Sequence, residues 1–510
     1  MSPRGIEHVV VAGGGAVAWI AAAALRRAFR QRNLDVLVVD TGTPAGTPVG
    51  RWTLPSQRGM HTLLGLSENE LIRRGATYKL ATEHIGWQGE GSRFLHAHGD
   101  IGTDLGGTPF YKFLALEAIA GRPEKPEGFS VAAAAARLGR FARPMGDDAS
   151  LTASFTYGYH LEENSYCEYL REHAAKLGVR RIEGQIAEVS LNDGNIASLR
   201  LTNGEQVGGD FFLDCTGAQA SLFEQIATAG RDDWSGWLPC DRMISALAPP
   251  IPDAPALTRI VAGDTGWFWQ APLAQATMVG YVYASAFVND TDALRQFTES
   301  VPVLRAAPVV SQWASGRRHE FWQGNCLALG AAAVGLEPLA GADLHFAQLG
   351  IGTFIELFPL DFNEVESVEY NRIMGEHADA LRDFTLAYYR AGTARAGAFW
   401  SATRASAAPA RLAEKLELYG ANGRINLLDN ESFEETDWAW LLLGSGCVPD
   451  ALEQQIRLRI EHITRQQVAP LRQHIEQLAA SMPRHFEYLQ RVIAQKPNEK
   501  PTPHSHAAKL

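Results

Sequence analysis

Three consecutive glycines, Gly13, Gly14 and Gly15, are followed by Ala16, Val17 and Ala18, a GxGxxA element directly after the apolar run HVVVA. That spacing suits a phosphate ligand. Gly13 permits a tight turn, Gly15 lets backbone approach a pyrophosphate, and Ala18 lets the following helix pack closely. The helix opening at Ala16 then aims its N-terminal N–H groups and dipole at the negative charge. Asp40 ends the next apolar run, LDVLVVD, about where a carboxylate accepts hydrogen bonds from an adenosine ribose. A flexible surface turn is the plain alternative, but strand before, helix after and acid beyond favour a dinucleotide. Farther along, Trp267 and Trp269 alternate with Phe268, so on a strand both indoles share one face. An aromatic pair of this kind is by default core packing.

The elements that must position these residues follow from periodicity. The first forty residues read as a strand, a glycine turn, an Ala-rich helix to about Arg32 and a second strand. In the middle, EYLREHAAKLG has helical amphipathicity, and VRRIEGQIAEVSL, IASLRLTNGEQV and GGDFFLDCTG read as strands and turns. Asp193-Gly194 and Asn203-Gly204 supply the positive-φ positions of hairpins. The Pro-rich, charged stretch at 121–130 reads as an exposed loop. From about Asn363 the pattern turns helical, so residues 1–362 are expected to form the α/β module with an inserted substrate region, 363–495 a helical C-terminal region and 496–510 a disordered tail.

Composition excludes several classes. With 46% hydrophobic and 20% charged residues the chain is an ordinary globular protein, and 510 residues allow a large core. A net charge of −11 disfavours nucleic acid and anionic membrane surfaces as partners. The five cysteines are odd in number, widely spaced and without a CxxC pair, so neither a disulfide framework nor a metal site is expected. A cytoplasmic location fits them. The uncharged run at 9–25 is preceded by Glu7 and His8 and interrupted by glycines, unlike a signal peptide, and no other run is long enough to span a membrane. The last residues faintly resemble a peroxisomal address.

The run FFLDCTG, residues 211–217, resembles the late strand and glycine that flavoproteins run past their FAD, which favours FAD over NAD. No second glycine fingerprint follows a strand, so reduction of the flavin must come from elsewhere. The chain as a whole resembles the flavin-dependent tryptophan halogenases. GGGAVAW at 13–19 is similar to their glycine turn, GATYKL at 75–80 to their lysine segment, WFWQAP at 267–272 to their WxWxxP signature, and GNCLALG with EPL at 324–339 to the strand leading into the halide site. LRDFTLAYYR and MPRHFEYL resemble the family's helical region.

The resemblance implies an α/β FAD-binding Rossmann-like fold of the flavin monooxygenase type, with interleaved substrate-binding β elements and a C-terminal helical region. It implies FAD, used as FADH2, with O2 and halide as co-substrates. Hypohalous acid formed at the flavin would travel to Lys79, the catalytic lysine, which presents it to an electron-rich indole- or phenol-like carbon. A lysine suits this chemistry because its ammonium donates three hydrogen bonds and desolvation lowers its pKa toward a free amine; otherwise a lysine is a solvated surface charge. The flavin contacts implied are Gly13, Gly14, Gly15, Ala16, Ala18, Asp40, Trp52, Ile186, Ala331 and Leu344, with Trp267, Trp269 and Pro272 as the flavin-side aromatic motif. Partners implied are a separate flavin reductase and a small aromatic substrate, with a homodimer as one assembly open to the chain.

Several residues depart from the family. Where it has EPLESTGI, this chain has EPLAGADL. The glutamate that would face the lysine becomes Ala340, and the halide positions become Ala342 and Asp343. Loss of such a group costs about 10²- to 10⁴-fold in rate unless a neighbour replaces it. The Asp343 carboxylate would repel halide: unit charges about 4 Å apart at an effective dielectric of about 20 repel by about 4 kcal/mol. Asp343 or His345 could instead assume the lost carboxylate's role, or Asp343 could be an ordinary loop acid. In the strap GRWTLP, Arg51 stands for an acid and Trp52 for a small residue. The tryptophan-binding elements are not recognisable around LLLGSGCVPD, so free tryptophan is not assumed. An FAD-dependent monooxygenase or oxidase, or a non-catalytic flavin-binding relative, is the alternative that Ala340 and Asp343 motivate.

Overall fold

The β-branched run HVVVA forms the strand His8–Ala12 at the centre of a six-stranded sheet in the computed structural model. The structure describes residues 5–495 except 33, 45, 147–149, 360–363 and 393. The expected tail at 496–510, and the expected boundary at 362/363, therefore lie outside the described residues. The sheet order is Trp322–Gln323, Cys326–Ala328, Phe211–Asp214, His8–Ala12, Asp35–Asp40 and Arg180–Glu183, with every pair parallel except the first. The helix Ala16–Ala28 lies against Glu163–Lys176 and Asp343–Glu356. Its alanines from Ala21 to Ala24 are buried, because side chains this small let helix and sheet approach closely. This is the expected Rossmann-like α/β arrangement.

A second sheet of seven strands carries the WFWQAP segment. Its order is Val309–Gln312, Arg242–Ala248, Thr277–Tyr283, Gly266–Pro272, Leu257–Ala262, Ala81–Ile85 and Arg93–Ala97. Strand alternation buries Trp267, Trp269 and Ala271 on one face. Phe268 points to the other and stacks on Tyr281 at 4.1 Å, beneath the helix Asp290–Ser300.

A small antiparallel sheet links two of the sequence motifs. Gly158–Glu162 is flanked by Gly50–Trp52 and Thr77–Lys79, so that Trp52 and Thr77 are both paired with His160, and Lys79 with Gly158. The hairpin of Ile186–Asn192 and Asn195–Leu201 turns at Asp193 and Gly194, both with positive φ, as expected from their types.

The C-terminal helices, from Val365–Arg390 to His485–Ala494, pack on the same core as the sheets, so that Phe384, Tyr388 and Trp438 share it with Trp267 and Trp269. The stretch at 121–130 differs from the expected exposed loop. Only its first half faces solvent; Pro126–Phe129 is a 3-10 turn with Phe129 buried. Ser130 then caps the buried helix Val131–Arg137 by accepting from Ala133 N, and Glu127 accepts from Leu95 N at 2.7 Å. The Pro and charge content hid an apolar anchor and a helix cap.

Candidate active site

Each glycine of the turn serves a different purpose. Gly13 has φ +135°, and a Cβ there would lie 2.4 Å from the Cys215 carbonyl oxygen, so this residue sets the distance between the first strand and the strand Phe211–Asp214. A Cβ on Gly14 would meet Asp40 Oδ1 at 2.4 Å and Gly42 O at 2.5 Å. A Cβ on Gly15 would meet nothing within 4 Å. Open space thus stands before the N-terminus of Ala16–Ala28, where a pyrophosphate would be cradled, and the residues fit the group. Ala16 and Ala18 are buried on the inner side of this helix.

Asp40 is buried at the end of its strand, as the spacing predicts. Its Oδ1 accepts from Gly42 N at 3.0 Å and its Oδ2 from Arg181 Nε at 2.7 Å, which leaves lone pairs on both oxygens. Ile186 follows the strand Arg180–Glu183 paired with Asp40. Ala331 is exposed in the turn Gly330–Ala332, beside Gly217–Gln219. Leu344 turns its side chain into the core, so any approach to a flavin is through backbone.

Trp52 is buried against the two indoles of the WFWQAP segment. Its ring lies 5.0 Å from that of Trp269 and 6.4 Å from that of Trp267. Gly341 has φ +67°, and a Cβ there would sit 2.5 Å from the Trp52 ring. The enlarged strap residue and the glycine in the altered EPLAGADL turn therefore fit one another.

The adjacent departure is also paired. Arg51 donates through Nη1 to Asp343 Oδ2, and through Nε and Nη2 to Glu163 Oε2 at 2.8 and 2.5 Å. Burial opposes the guanidinium charge, but Glu163 and Asp343 outweigh it and hold Arg51 charged. The Asp343 carboxylate is an ion-pair partner at the first turn of Asp343–Glu356, which offsets part of the charge it would turn toward a halide.

Lys79 ends its strand with its side chain 1% exposed, and its Nζ lies 2.7 Å from His98 Nε2. Burial lowers the lysine to about 7, against a raising pull from Asp437. Burial, then Lys79, His96 and His160, holds His98 well below the usual imidazole range, so its ring stands neutral beside the lysine. His98 lines a cavity of about 390 Å³ together with Leu54, Ser56, Phe155, His345, Phe433 and Asp437. Lys79 does not line it directly.

The motif around Pro272 reaches the lysine strand: Thr77 Oγ1 donates to Pro272 O at 2.5 Å and contacts His160 Nδ1 at 2.9 Å. Trp267 Nε1 donates to Glu337 Oε1 at 2.7 Å, and Tyr389 donates to the same oxygen. Burial pushes Glu337 up to about 7, against these two hydrogen bonds.

Ala340 brings no carboxylate, but Asp437 of the helix Glu435–Gly444 does. Asp437 Oδ2 accepts from Glu434 N at 2.9 Å, and Oδ1 lies 3.3 Å from His96 Nε2. His345 also reaches the cavity; Ser56 Oγ lies 2.8 Å from its Nδ1, and burial, then His377, lowers it to about 4. Sequence reasoning missed His98, Asp437 and the tie between Arg51 and Asp343. HAHGD carried a usable signal, two histidines at the end of an apolar strand; Asp437 carried none, since it lies nearly a hundred residues from Ala340.

A flavoprotein fold with a buried lysine beside an aromatic-lined cavity is the class of protein defined here. The sequence profile described as tryptophan halogenase matches residues 8–459, and the chain belongs to that family. It is a flavin-dependent halogenase, an oxidoreductase. Among solved structures it is similar to the flavin-dependent halogenase Xcc4156 from Xanthomonas campestris, at 32% identity and a TM-score of 0.90 over 96% of this chain and 99% of that one. BrvH, a flavin-dependent halogenase from Brevundimonas sp. BAL3, gives 30% identity and a TM-score of 0.90 over 96% of this chain and all of its own. The tryptophan 6-halogenase SttH of Streptomyces toxytricini is 27% identical over 96% of this chain and 98% of its own length. Among the described residues no helix is long and apolar enough to cross a membrane.

Proposed function

We propose that the chain halogenates an electron-rich aromatic in the cavity beside His98, with Lys79 as the residue that holds the halogenating species and Asp437 as the carboxylate that replaces the one lost at Ala340. Bound FAD, reduced by a separate flavin reductase, would supply with O2 the oxidation of chloride or bromide to hypohalous acid. Gly13 to Gly15 and Asp40 would hold the dinucleotide, with the pyrophosphate in the open space at Gly15. Trp52, Trp267 and Trp269 form a packed aromatic group that would exclude organic substrate from the flavin. A cytoplasmic setting suits an enzyme fed by a soluble reductase.

The close approach of Lys79 Nζ to His98 Nε2 carries this reading. The hydrogen bond between the two fixes the direction of Nζ, leaving its other hydrogens or lone pair for the acid. In the aromatic substitution, the ring carbon takes the halogen as the halogen–oxygen bond breaks. The ring proton leaves to a base and water is released. Asp437 lines the cavity with His98 and pulls against the lowering of the lysine by burial, which supports this assignment.

The experiment is mass spectrometry of indoles and phenols incubated with the full chain, FAD, a flavin reductase, NADH, air and bromide. A bromine isotope doublet that requires flavin and disappears in Lys79→Ala is the expected result. A gain of one oxygen, motivated by Ala340, would move the activity to hydroxylation. Halogenated product at the parent rate in Lys79→Ala would remove the lysine from the chemistry.

A further inference from the structure

The cavity beside His98 has a one-sided charge. Asp100, Glu434 and Asp437 line it, and among the described residues no lysine or arginine does. Its two histidines are held neutral by burial, His345 at about 4 and His98 well below its usual range. Arg58 stands behind this wall without lining it: Nη1 donates to Oγ1 of the lining Thr156 at 3.0 Å and the guanidinium lies 4.0 Å over the Tyr157 ring. Two of the three acids are engaged within the fold. Asp437 accepts from Glu434 N and contacts His96, and Glu434 caps the same helix from the other side. Asp100 is not engaged in this way, since among the described residues its carboxylate has no hydrogen-bond or ion-pair partner. Burial raises it first, and Asp104 and Glu434 raise it further, so its ionised form is opposed by its surroundings and a cation beside it would relieve that opposition.

Apolar surface completes the lining. Leu54, Phe155 and Phe433 face the same space, and Phe433 is held by stacking on Phe384 at 3.6 Å. His345 adds a buried Nε2 with no partner among the described residues. An aromatic ring thus has walls to lie against, and the lysine–histidine pair stands at one of them.

We propose that the substrate is an aromatic amine, an electron-rich ring whose side chain carries an ammonium group and no carboxylate, with the cation held at Asp100 and Glu434. This rests on the reading of the cavity as the site of halogenation. A free amino acid would bring its own carboxylate among three others, with no cationic side chain in the lining to receive it. An ammonium group instead donates to Asp100, which lacks a partner among the described residues, and to lone pairs that capping leaves on Glu434. A neutral indole would fill the apolar walls and leave Asp100 as it is.

The test is equilibrium binding to the full chain without flavin, read by calorimetry, for tryptamine, indole, tryptophan and indole-3-propionate. Tryptamine is expected to bind at least tenfold tighter than either carboxylate-bearing ligand. Added salt should narrow the gap. The variant Asp100→Asn, at an exposed and unpartnered position, should reduce the preference several-fold without unfolding the chain, and Asp100→Asn with Glu434→Gln should bring the ligands within threefold of one another. Tryptophan or indole-3-propionate binding as tightly as tryptamine would overturn the proposal, as would a preference that survives both substitutions. Halogenation is scored separately by mass. Charge-selective binding without halogenated product would support the cationic site while defeating the halogenase reading, and rapid halogenation of all four ligands with equal affinities would do the reverse.

Discussion

Arg51 Nη1 donates to Asp343 Oδ2, joining the strap strand Gly50–Trp52 to the first turn of the helix Asp343–Glu356. The two residues are departures from the family's pattern that meet in space, and the residues beside them, Trp52 and Gly341, also meet. One guanidinium is shared between buried Glu163 and Asp343, so the three side chains together carry one net negative charge and the charge of Asp343 is offset only in part.

The pair can be dissected with bromide as the probe. Asp343→Asn leaves Arg51 on Glu163, and its bromide KM should stay within about threefold of the parent, since a partly exposed ion pair contributes about 1 kcal/mol or less. Arg51→Gln leaves both acids unopposed. It should raise the bromide KM at least about tenfold, since facing charges at short range cost more than about 1.4 kcal/mol. The double substitution should recover most of that loss. Steady-state bromination of the best substrate found gives the three constants, and no recovery in the double variant would detach Asp343 from halide binding.

Asp437 and Ala340 form a second cycle. Asp437→Asn keeps a helix-capping side chain, so the fold should persist while halogenation falls about 10²-fold or more, as for loss of a general base or orienting carboxylate. Ala340→Glu should add less than about threefold on its own, since the position opposite the lysine already feels a carboxylate, but recover about tenfold or more in the Asp437→Asn background. Single-turnover product formation by mass is the readout. A large gain from Ala340→Glu alone would show that no other group serves.

The lysine has a pH signature. Burial lowers Lys79 from its ordinary 10.5 to about 7, so between these values the unfolded chain holds a proton that the folded chain has released. Stability then rises with pH across that window. Relative to Lys79→Met, the parent should gain up to about 1.4 kcal/mol per pH unit between about pH 7 and 10 and nothing below about pH 6. Urea unfolding of both proteins at about pH 6, 7.5 and 9 measures the difference, and parallel curves would mean that the lysine stays charged.

The glycine turn separates binding from folding. Gly15→Val meets open space, so it should leave thermal unfolding near the parent while weakening FAD by about tenfold or more through obstruction of the phosphate cradle. Gly13→Ala forces a Cβ against the Cys215 carbonyl at a positive φ and should destabilise by several kcal/mol, about 3 or more for a clash that backbone must absorb. Flavin fluorescence titration and thermal melts distinguish the two. Unchanged FAD affinity in Gly15→Val would place the phosphate elsewhere.

Local patterns determined much of this protein. The strand, glycine turn and helix from His8 to Ala28, the acid at Asp40, the hairpin at Asp193-Gly194 and the shared face of Trp267 and Trp269 all follow from short-range periodicity and backbone preference, which act within a few residues of sequence. Lys79 could be singled out by the segment that contains it, but its pairing with His98 depends on a backbone path that returns the strand Arg93–Ala97 beside Ala81–Ile85. The tertiary structure alone decided that Arg51 lies on Asp343, that Trp52 needs Gly341, and that Asp437 approaches a site whose expected carboxylate is missing. These contacts join residues far apart in the chain, and no local propensity encodes a distance between side chains that only a packed core brings together.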